Sequence, residues 1–328
     1  MAITAYSVRD DEVAYFQQWQ QAHPAEQVQL IKADLTVATA TLAAGSHSVI
    51  LLQTQPVDAT IIETLAQLHV ANLIVRAVGV ENIDGLAITQ FGLQLANVPS
   101  YSPRSVAEFT ILQLLQLLRQ SARFNAAFKK GDFRWTPFLG EELAGKTVGV
   151  IGTGRIGAAV IAILKGFDVH ILAYSHHHNL AAQGVQYVDQ LPELYRRCDV
   201  LTLHIPGTAE NTRLIDTAAF QAMKPGMILL NMARGSLVDT QALLTALDQH
   251  IIAGCALDTY DNEAPYFGQD YSQRKIDDLY LRALMQRDDV LLAPHMAFYT
   301  KPAVENMVTQ ALDKSLALCQ DAQTLDVH

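Results

Sequence analysis

The sequence predicts an α/β fold with two doubly wound parallel-sheet domains. Short apolar runs alternate with stretches of helical spacing along the chain, which favours parallel strands covered by helices. The length of 328 residues exceeds one ordinary domain and suits two. Half of the residues are apolar, so two sizeable cores can be buried.

In the first hundred residues, the apolar runs 48–52 and 72–76 are expected to be buried strands, with a helix over 59–68 between them. Two prolines then interrupt regular structure. A helix over 106–119 should follow, because Ser102 is a suitable N-cap and a proline at the first helical position is favourable.

The second part of the chain predicts a six-strand doubly wound sheet. Its expected strands are 147–151, 169–174, 200–204, 227–231, 252–257 and 290–293. The residues 302–319 have helical spacing, and we expect this last helix to pack on the first domain.

The composition excludes several classes of function. Lys and Arg number 23 and Asp and Glu 33, so the net charge of −10 argues against a nucleic-acid or anionic-membrane surface. Three cysteines without a C-x-x-C pair predict neither a disulfide framework nor a zinc ribbon, and free thiols suit a reducing compartment. With no leader-like N-terminus and no apolar run of membrane-spanning length, we expect a cytoplasmic protein.

A G-x-G-x-x-G motif follows the strand over 147–151 and opens a predicted helix, which is the context that dinucleotide binding requires. Gly152 permits the tight turn, Gly154 lets the backbone approach a pyrophosphate, and Gly157 allows close helix–strand packing. The free N–H groups of the helix N-terminus can then bind the phosphates. The alternative is a glycine-rich turn that binds no ligand.

The acidic residue expected about 20 residues further on, which would bind the adenosine ribose, is missing. Ser175 ends the second strand, and His176, His177 and His178 follow. Without an acid, a 2′-phosphate is not repelled, so we expect either a relaxed choice between NAD(H) and NADP(H) or a preference for NADP(H). The alternative is that the histidines form a solvated loop and NAD binds regardless. We predict no metal site, because adjacent histidine side chains diverge and no carboxylate or cysteine follows closely.

Polar residues follow three successive predicted strands late in the chain, where open α/β sheets bind ligands. Arg234 can bind the carboxylate of a 2-keto acid and polarise its carbonyl. His295 can donate a proton as a hydride arrives, and Glu263 can fix the tautomer of that imidazole if it touches the other ring nitrogen. Asp258 is expected on the nicotinamide side. The alternative is a structural Arg–Glu ion pair with a capping histidine, and we assign no catalytic role to His204.

The motifs resemble the D-isomer-specific 2-hydroxyacid dehydrogenase family, including its lactate-specific members from lactic acid bacteria. The matching segments span nearly the whole chain: 78–84, 97–103, 148–157, 204–207, 223–226, 231–235 and 293–295. The resemblance implies a Rossmann-type cofactor domain, 101–298, inserted in a flavodoxin-like substrate domain, 1–100 and 299–328. It also implies that Arg234, Glu263 and His295 are the catalytic set, and that the protein is a homodimer.

The resemblance further implies which residues contact ligands. The backbone N–H groups of Val78 and Gly79 would bind the substrate carboxylate, with Tyr101, Leu52 and Tyr299 near the substrate. The implied cofactor contacts, besides the glycines, are Arg155, Ile156, Ser175, Ile205, Pro206, Asn211, Met232, Ala233 and Asp258.

The chain departs from the family at two positions, Ser175 and Leu52. Lactate-specific relatives carry tyrosine where this chain has Leu52, so the pocket should be roomier and more apolar. We therefore expect a D-2-hydroxyacid dehydrogenase that uses pyruvate or a larger apolar 2-keto acid such as phenylpyruvate. The competing readings are a cofactor-sensing, corepressor-like binding protein on the same fold, a phosphoglycerate or formate dehydrogenase, and a purely structural protein.

Overall fold

The computed structural model describes residues 2–177, 179, 182 and 184–325, with side chains to residue 320. The strands are β1 Ala2–Ala5, β2 Gln27–Leu30, β3 Ser48–Leu51, β4 Asn72–Val75, β5 Gln94–Asn97, β6 Thr147–Ile151, β7 His170–Tyr174, β8 Gln186–Tyr187, β9 Val200–Leu203, β10 Met227–Asn231, β11 Ile252–Leu257 and β12 Val290–Leu292. The α-helices are α1 Val13–Ala22, α2 Ala59–Gln67, α3 Gly85–Phe91, α4 Pro103–Leu118, α5 Ser121–Lys129, α6 Arg155–Leu164, α7 Leu191–Arg197, α8 Thr217–Ala222, α9 Thr240–Asp248, α10 Leu279–Met285 and α11 Lys301–Leu325.

The chain divides into two compact units. The first comprises Met1–Ser102 and Tyr299–His328, and the second comprises Pro103–Phe298. Each unit contains one parallel sheet. The predicted α/β class with two doubly wound sheets is therefore confirmed.

The sheet of the first unit has the strand order β2-β1-β3-β4-β5 within the described residues. Reading from the chain start this is 2-1-3-4-5, the flavodoxin-like order. Its central strands β3 and β4 are buried along their whole length, as expected for strands covered on both faces. The predicted packing of the last helix is also confirmed, since α11 packs against α1 and Trp19 Nε1 donates to Asp313 Oδ1 at 2.8 Å.

The sheet of the second unit has the order β12-β11-β10-β9-β6-β7-β8 in the described part of the chain. Counted within the unit this is 7-6-5-4-1-2-3, which contains the 3-2-1-4-5-6 order of dinucleotide-binding sheets. The prediction of six strands was wrong by one, because β8 is a two-residue edge strand without an apolar run. The remaining strands lie within one residue of their predicted bounds.

Aspartate N-caps begin several helices and so fix where the loops before them end. Asp58, Asp84, Asp216, Asp239 and Asp278 each accept a hydrogen bond from a backbone N–H in the first turn of the helix that follows. No helix in the described part of the chain combines the length and the apolar character needed to cross a membrane.

Candidate active site

The glycine motif forms the turn between β6 and α6. Gly152 has φ +92°, and an added Cβ on Gly157 would lie 2.0 Å from the Gly152 carbonyl oxygen, so both positions require glycine. A Cβ on Gly154 would meet nothing within 4 Å, which leaves open space at the N-terminus of α6. Arg155 and Ile156 form the first turn of that helix. The loop and the helix end therefore fit the pyrophosphate of a dinucleotide.

The segment after β7 is tied to this turn by Thr153. The Tyr187 hydroxyl donates to Thr153 Oγ1 at 3.1 Å, and Asn179 Nδ2 donates to the Thr153 carbonyl at 2.8 Å. Ser175, half-buried, is the first residue after β7. It thus lies where a Rossmann sheet places the residue that contacts the adenosine ribose.

Two of the three histidines after Ser175 lie in the described part of the chain. His176 and His177 are exposed, and His178 lies outside the described residues. Among the residues that the structure describes, no group of three or more His, Cys, Asp or Glu side chains is placed to hold a metal.

The segment after β9 lies directly against the glycine turn, because a Cβ on Gly152 would be 2.5 Å from the carbonyl oxygen of His204. Half-buried Ile205 and exposed Pro206 follow, and Asn211 Nδ2 donates to the Pro206 carbonyl at 3.1 Å. The imidazole of His204 lies 2.9 Å from Thr202 Oγ1. Burial lowers the pKa of His204 to about 3, so it stays neutral near neutral pH and is unsuited as a proton donor.

Arg234 lies in the loop after β10. Asn231 shapes this loop, since its Nδ2 donates to the Arg234 carbonyl at 2.8 Å and its Oδ1 accepts from Ala233 N at 3.0 Å. Met232 is buried and Ala233 half-buried. A Cβ on Gly207 would approach Arg234 Cγ to 2.9 Å, so the stem of Arg234 packs against the segment after β9.

Glu263 and His295 form a hydrogen-bonded pair. His295 Nδ1 donates to Glu263 Oε1 at 2.6 Å, and Glu263 Oε2 accepts from Tyr260 N at 2.8 Å. Burial lowers the pKa of His295, but the hydrogen bond and charge of Glu263, with the charge of Asp258, outweigh it and raise the pKa overall. The contact leaves Nε2 as the ring nitrogen that can exchange a proton with a substrate.

Asp258, the first residue after β11, fixes the segment that carries His295. Its two carboxylate oxygens accept from Met296 N at 2.8 Å and Ala297 N at 2.9 Å, and its carbonyl accepts from His295 N at 2.7 Å. Burial raises the pKa of Asp258, and these hydrogen bonds offset part of that rise. The side chain is therefore a backbone anchor in this structure.

The three loops meet because β10, β11 and β12 are parallel neighbours whose carboxyl ends share one edge of the sheet. Gly235, next to Arg234, packs so closely on the next loop that a Cβ would lie 2.1 Å from Tyr260 C and 2.3 Å from Asp261 N. The charge of Arg234 also lowers the pKa of His295, which places the two cations near each other. A cation for a carboxylate, a proton donor and a carboxylate partner are thus brought together beside the glycine turn.

The other expected ligand contacts lie in the first unit, after the carboxyl ends of its strands. Leu52 follows β3, Val78 and Gly79 come three and four residues after β4, and Tyr101 comes after β5. Asn97 Nδ2 donates to the Val78 carbonyl at 2.6 Å, which fixes the peptide group that also contains the Gly79 N–H. Val78 is exposed, while Leu52, Gly79 and Tyr101 are half-buried.

Tyr299 and Arg76, also in the first unit, differ in exposure. Tyr299 is exposed, hydrogen-bonds Asp11 and lies under the guanidinium of Arg9, 5.3 Å from the ring centroid. Arg76 is fully buried, with Nη2 3.2 Å from Glu12 Oε2. Arg76 is therefore structural and does not offer the second cation that a phosphate-bearing substrate requires.

Sequence reasoning missed the residues that hold these loops in place, namely Asn231, Tyr260 and Asp278. Tyr260 and Asp278 are separated by a long irregular loop, and their contact leaves no periodic signal. Only the N-cap position of Asp278, before the apolar run of α10, is visible in the sequence.

Comparison with known proteins identifies relatives along the whole chain. A family model described as "D-isomer specific 2-hydroxyacid dehydrogenase, NAD binding domain" matches residues 111–297. A D-lactate dehydrogenase of Lactiplantibacillus plantarum is 44% identical over 317 residues, covering 96% of this chain and 95% of that protein. The D-lactate dehydrogenase of Treponema pallidum superposes with a TM-score of 0.90 at 33% identity, covering 98% of this chain and 97% of the other. A D-2-hydroxyisocaproate dehydrogenase structure gives 0.87 at 36% identity, with 98% of both chains covered.

Proposed function

This chain belongs to the D-isomer-specific 2-hydroxyacid dehydrogenase family, and from that membership we propose that it interconverts 2-keto acids and D-2-hydroxy acids with a nicotinamide cofactor. The resemblance drawn from the sequence motifs is thereby confirmed. The observation that carries the proposal is the Glu263–His295 pair at 2.6 Å, in the same unit as Arg234 and the glycine turn. The second unit is the dinucleotide-binding domain, and the first is the substrate domain.

The side chains divide the chemistry between them. Arg234 binds the substrate carboxylate through its planar guanidinium and polarises the neighbouring carbonyl. A nicotinamide cofactor held at the glycine turn would supply the hydride. His295 donates its Nε2 proton to the carbonyl oxygen and takes it back in the oxidation direction, while Glu263 stabilises the imidazolium.

The first unit contributes the substrate contacts. The Val78 and Gly79 N–H groups are proposed as further ligands of the carboxylate, and Tyr101, Tyr299 and Leu52 as contacts of the substrate side chain. Leucine at position 52 leaves more apolar room than tyrosine would. We expect phenylpyruvate to rival or exceed pyruvate, in a graded way, because one hydrophobic contact discriminates by only about 1–3 kcal/mol.

The cofactor is NAD(H), with NADP(H) tolerated. The NAD-binding family model supports the first part, and Ser175 in place of an acidic residue supports the second. The proposed contacts are the glycine turn with Arg155 and Ile156 for the pyrophosphate and Ser175 for the adenosine ribose. Asn211, Asp258 and the pairs Ile205–Pro206 and Met232–Ala233 are the proposed remaining contacts.

Self-association is supported by a row of exposed apolar side chains on and after α5. Phe128, Phe133, Trp135 and Leu139 are 63–86% exposed. A cavity of about 510 Å³, lined in part by residues 116–118, 120, 122–123 and 253–254, lies in the same unit. A face with both a protruding apolar segment and a recess suits an isologous dimer. Trp135→Ser should shift the mass in solution from dimer toward monomer, and an unchanged mass would rule out this surface.

We also propose that the protein is located in the cytoplasm. The three cysteines are free and buried, which suits a reducing compartment.

Initial rates test the proposal. NADH and NADPH are each assayed against pyruvate and phenylpyruvate, and the chirality of the product is assigned. Oxidation of reduced cofactor with D-product is expected. No oxidation in any combination, with cofactor binding intact, would favour the alternative of a cofactor-sensing, corepressor-like binding protein.

A further inference from the structure

Tyr260 holds the turn that carries Glu263. Its backbone N donates to Glu263 Oε2 at 2.8 Å, and its carbonyl accepts from Glu263 N at 3.2 Å. The two residues thus bind each other reciprocally, once through the carboxylate and once through the backbone. The carboxylate oxygen that remains, Oε1, is the one that binds His295.

The side chain of Tyr260 is anchored on a different element, α10. Its hydroxyl lies 2.9 Å from both carboxylate oxygens of Asp278, the N-cap of that helix. Asp278 also accepts from Leu281 N at 3.0 Å and from Asn262 Nδ2 at 2.9 Å. Burial raises the pKa of Asp278, but these hydrogen bonds outweigh it and lower the pKa overall, so the group is an anionic acceptor. Burial and Asp278 together raise the pKa of Tyr260, so its hydroxyl keeps the proton it donates.

The backbone of Tyr260 also contacts the loop that carries Arg234. A Cβ on Gly235 would lie 2.1 Å from Tyr260 C, so the backbone of Gly235 rests on the Tyr260 peptide without room for a side chain. Gly235 directly follows Arg234. Tyr260 therefore contacts both the loop of Arg234 and Glu263, which is the hydrogen-bond partner of His295.

We propose that Tyr260 and Asp278 are positioning residues for the reaction, which hold Glu263 against His295 and fix the Arg234 loop at the same time. This inference rests on the proposed function, because it requires that the Glu263–His295 pair transfers the proton in the reaction. Tyr260 is buried with its hydroxyl bound to Asp278, so both residues act through Glu263 and the Arg234 loop. A merely structural N-cap and buried phenol would explain the hydrogen bonds without any effect on proton transfer.

The test separates positioning from folding with matched variants. Tyr260→Phe removes only the hydroxyl, and Asp278→Ala removes the acceptor and the N-cap together. Asp278→Asn keeps an N-cap oxygen that can still accept from the phenol. Asp216→Ala deletes the N-cap of α8, which accepts from Ala219 N at 2.9 Å, and so matches the loss of a cap away from the site. Tyr6→Phe removes the hydroxyl of a different buried tyrosine, which donates to the Thr39 carbonyl at 2.9 Å, and so matches the loss of a hydrogen-bonded phenol.

The readouts are Tm, NADH affinity by fluorescence, kcat and KM, and the pH profile of kcat/KM for keto-acid reduction. The groups that face His295 are Glu263, Asp258 and Arg234, so a displaced Glu263 weakens the dominant stabiliser of the imidazolium. For Tyr260→Phe and Asp278→Ala we expect kcat to fall about tenfold and the alkaline limb of the profile to move to lower pH, with NADH affinity unchanged. Asp278→Asn should recover most of the loss, and the two controls should lower Tm without moving the profile.

A Tyr260→Phe variant with wild-type kcat and an unmoved profile would overturn the inference, as would Asp216→Ala moving the profile equally. His295→Gln, measured alongside, distinguishes a failure of the proposed function from a failure of the positioning role. If His295→Gln keeps its rate, the proposed function fails. If only His295→Gln is impaired, the proposed function stands and the positioning role alone is rejected.

Discussion

The charge of Glu263 sets the pH range in which His295 can donate a proton, and Glu263→Gln isolates that effect. Glutamine keeps an oxygen that can accept from His295 Nδ1 and removes only the negative charge. Unit charges 2.6 Å apart interact by about 1.6 kcal/mol even at the dielectric constant of water, which corresponds to about 15-fold in an equilibrium constant. Because the His295 side chain is 36% and the Glu263 side chain 20% exposed, solvent screens the pair, and we expect Glu263→Gln to lower the pKa of His295.

The sign of the effect differs between the two directions of reaction. Reduction requires protonated His295, so kcat/KM falls as pH rises through its pKa, which in the wild type lies above the ordinary value. A lower pKa makes the variant about 15-fold slower at pH above both pKa values and leaves it near the wild-type rate below both. In the oxidation direction, which requires neutral imidazole, the rising limb moves to lower pH.

The assay is kcat/KM for pyruvate and for D-lactate between pH 5 and 9. Asp261→Asn, which removes the same charge from an exposed position in the same loop, serves as the control and should leave the profile in place. The reasoning is refuted if Glu263→Gln lowers the rate by one factor at every pH, since that would mean that Glu263 does not act through the protonation of His295.

Four further changes test other parts of the structure. Gly235→Ala introduces a Cβ 2.1 Å from a backbone carbon, so thermal melts should show a lower Tm and kcat should fall while NADH still binds. Leu52→Tyr should lower the phenylpyruvate-to-pyruvate ratio of kcat/KM about tenfold, and an unchanged ratio would exclude Leu52 from the pocket. Ser175→Asp should raise the NADH-to-NADPH ratio of kcat/KM, because a carboxylate repels the 2′-phosphate; equal ratios would contradict the assignment of Ser175 to the ribose. Arg76→Met removes the fully buried partner of the Glu12 carboxylate and leaves it only Arg9, so it should cost about 1–3 kcal/mol of unfolding free energy in urea titrations.

The strands that the sequence reveals are those buried on both faces. β3, β4, β9 and β10 are buried along their whole length and are apolar apart from one polar residue each. The missed strands β2, β5 and β8 lie at sheet edges, where partly exposed positions carry glutamine and asparagine. β1 is mostly buried, but it is short and begins at the second residue, where too little context precedes it.

The sequence predicts the candidate site in part, as it does the strands. Arg234 and His295 follow strong strands, so the rule that ligands bind at strand ends finds them. The support from Tyr260 and Asp278 depends on how an irregular loop folds back on the N-terminus of α10, which no periodicity encodes. The structural role of Arg76 is not visible in the sequence, because its burial against Glu12 emerges only once the sheet is assembled.

The loops of the site are tied together by side-chain carboxylates where a strand or helix would use backbone carbonyls. The amide of Tyr260 donates to Glu263, and those of Met296 and Ala297 donate to Asp258, although none of the three donors lies in a strand or helix. In hydrogen–deuterium exchange such amides behave as part of the protected core, since opening them requires breaking bonds to charged acceptors. We therefore expect these loop amides to exchange with solvent as slowly as the amides of β11 and β12. The reacting centre is built from loops, but its backbone should open as rarely as the strands that precede it.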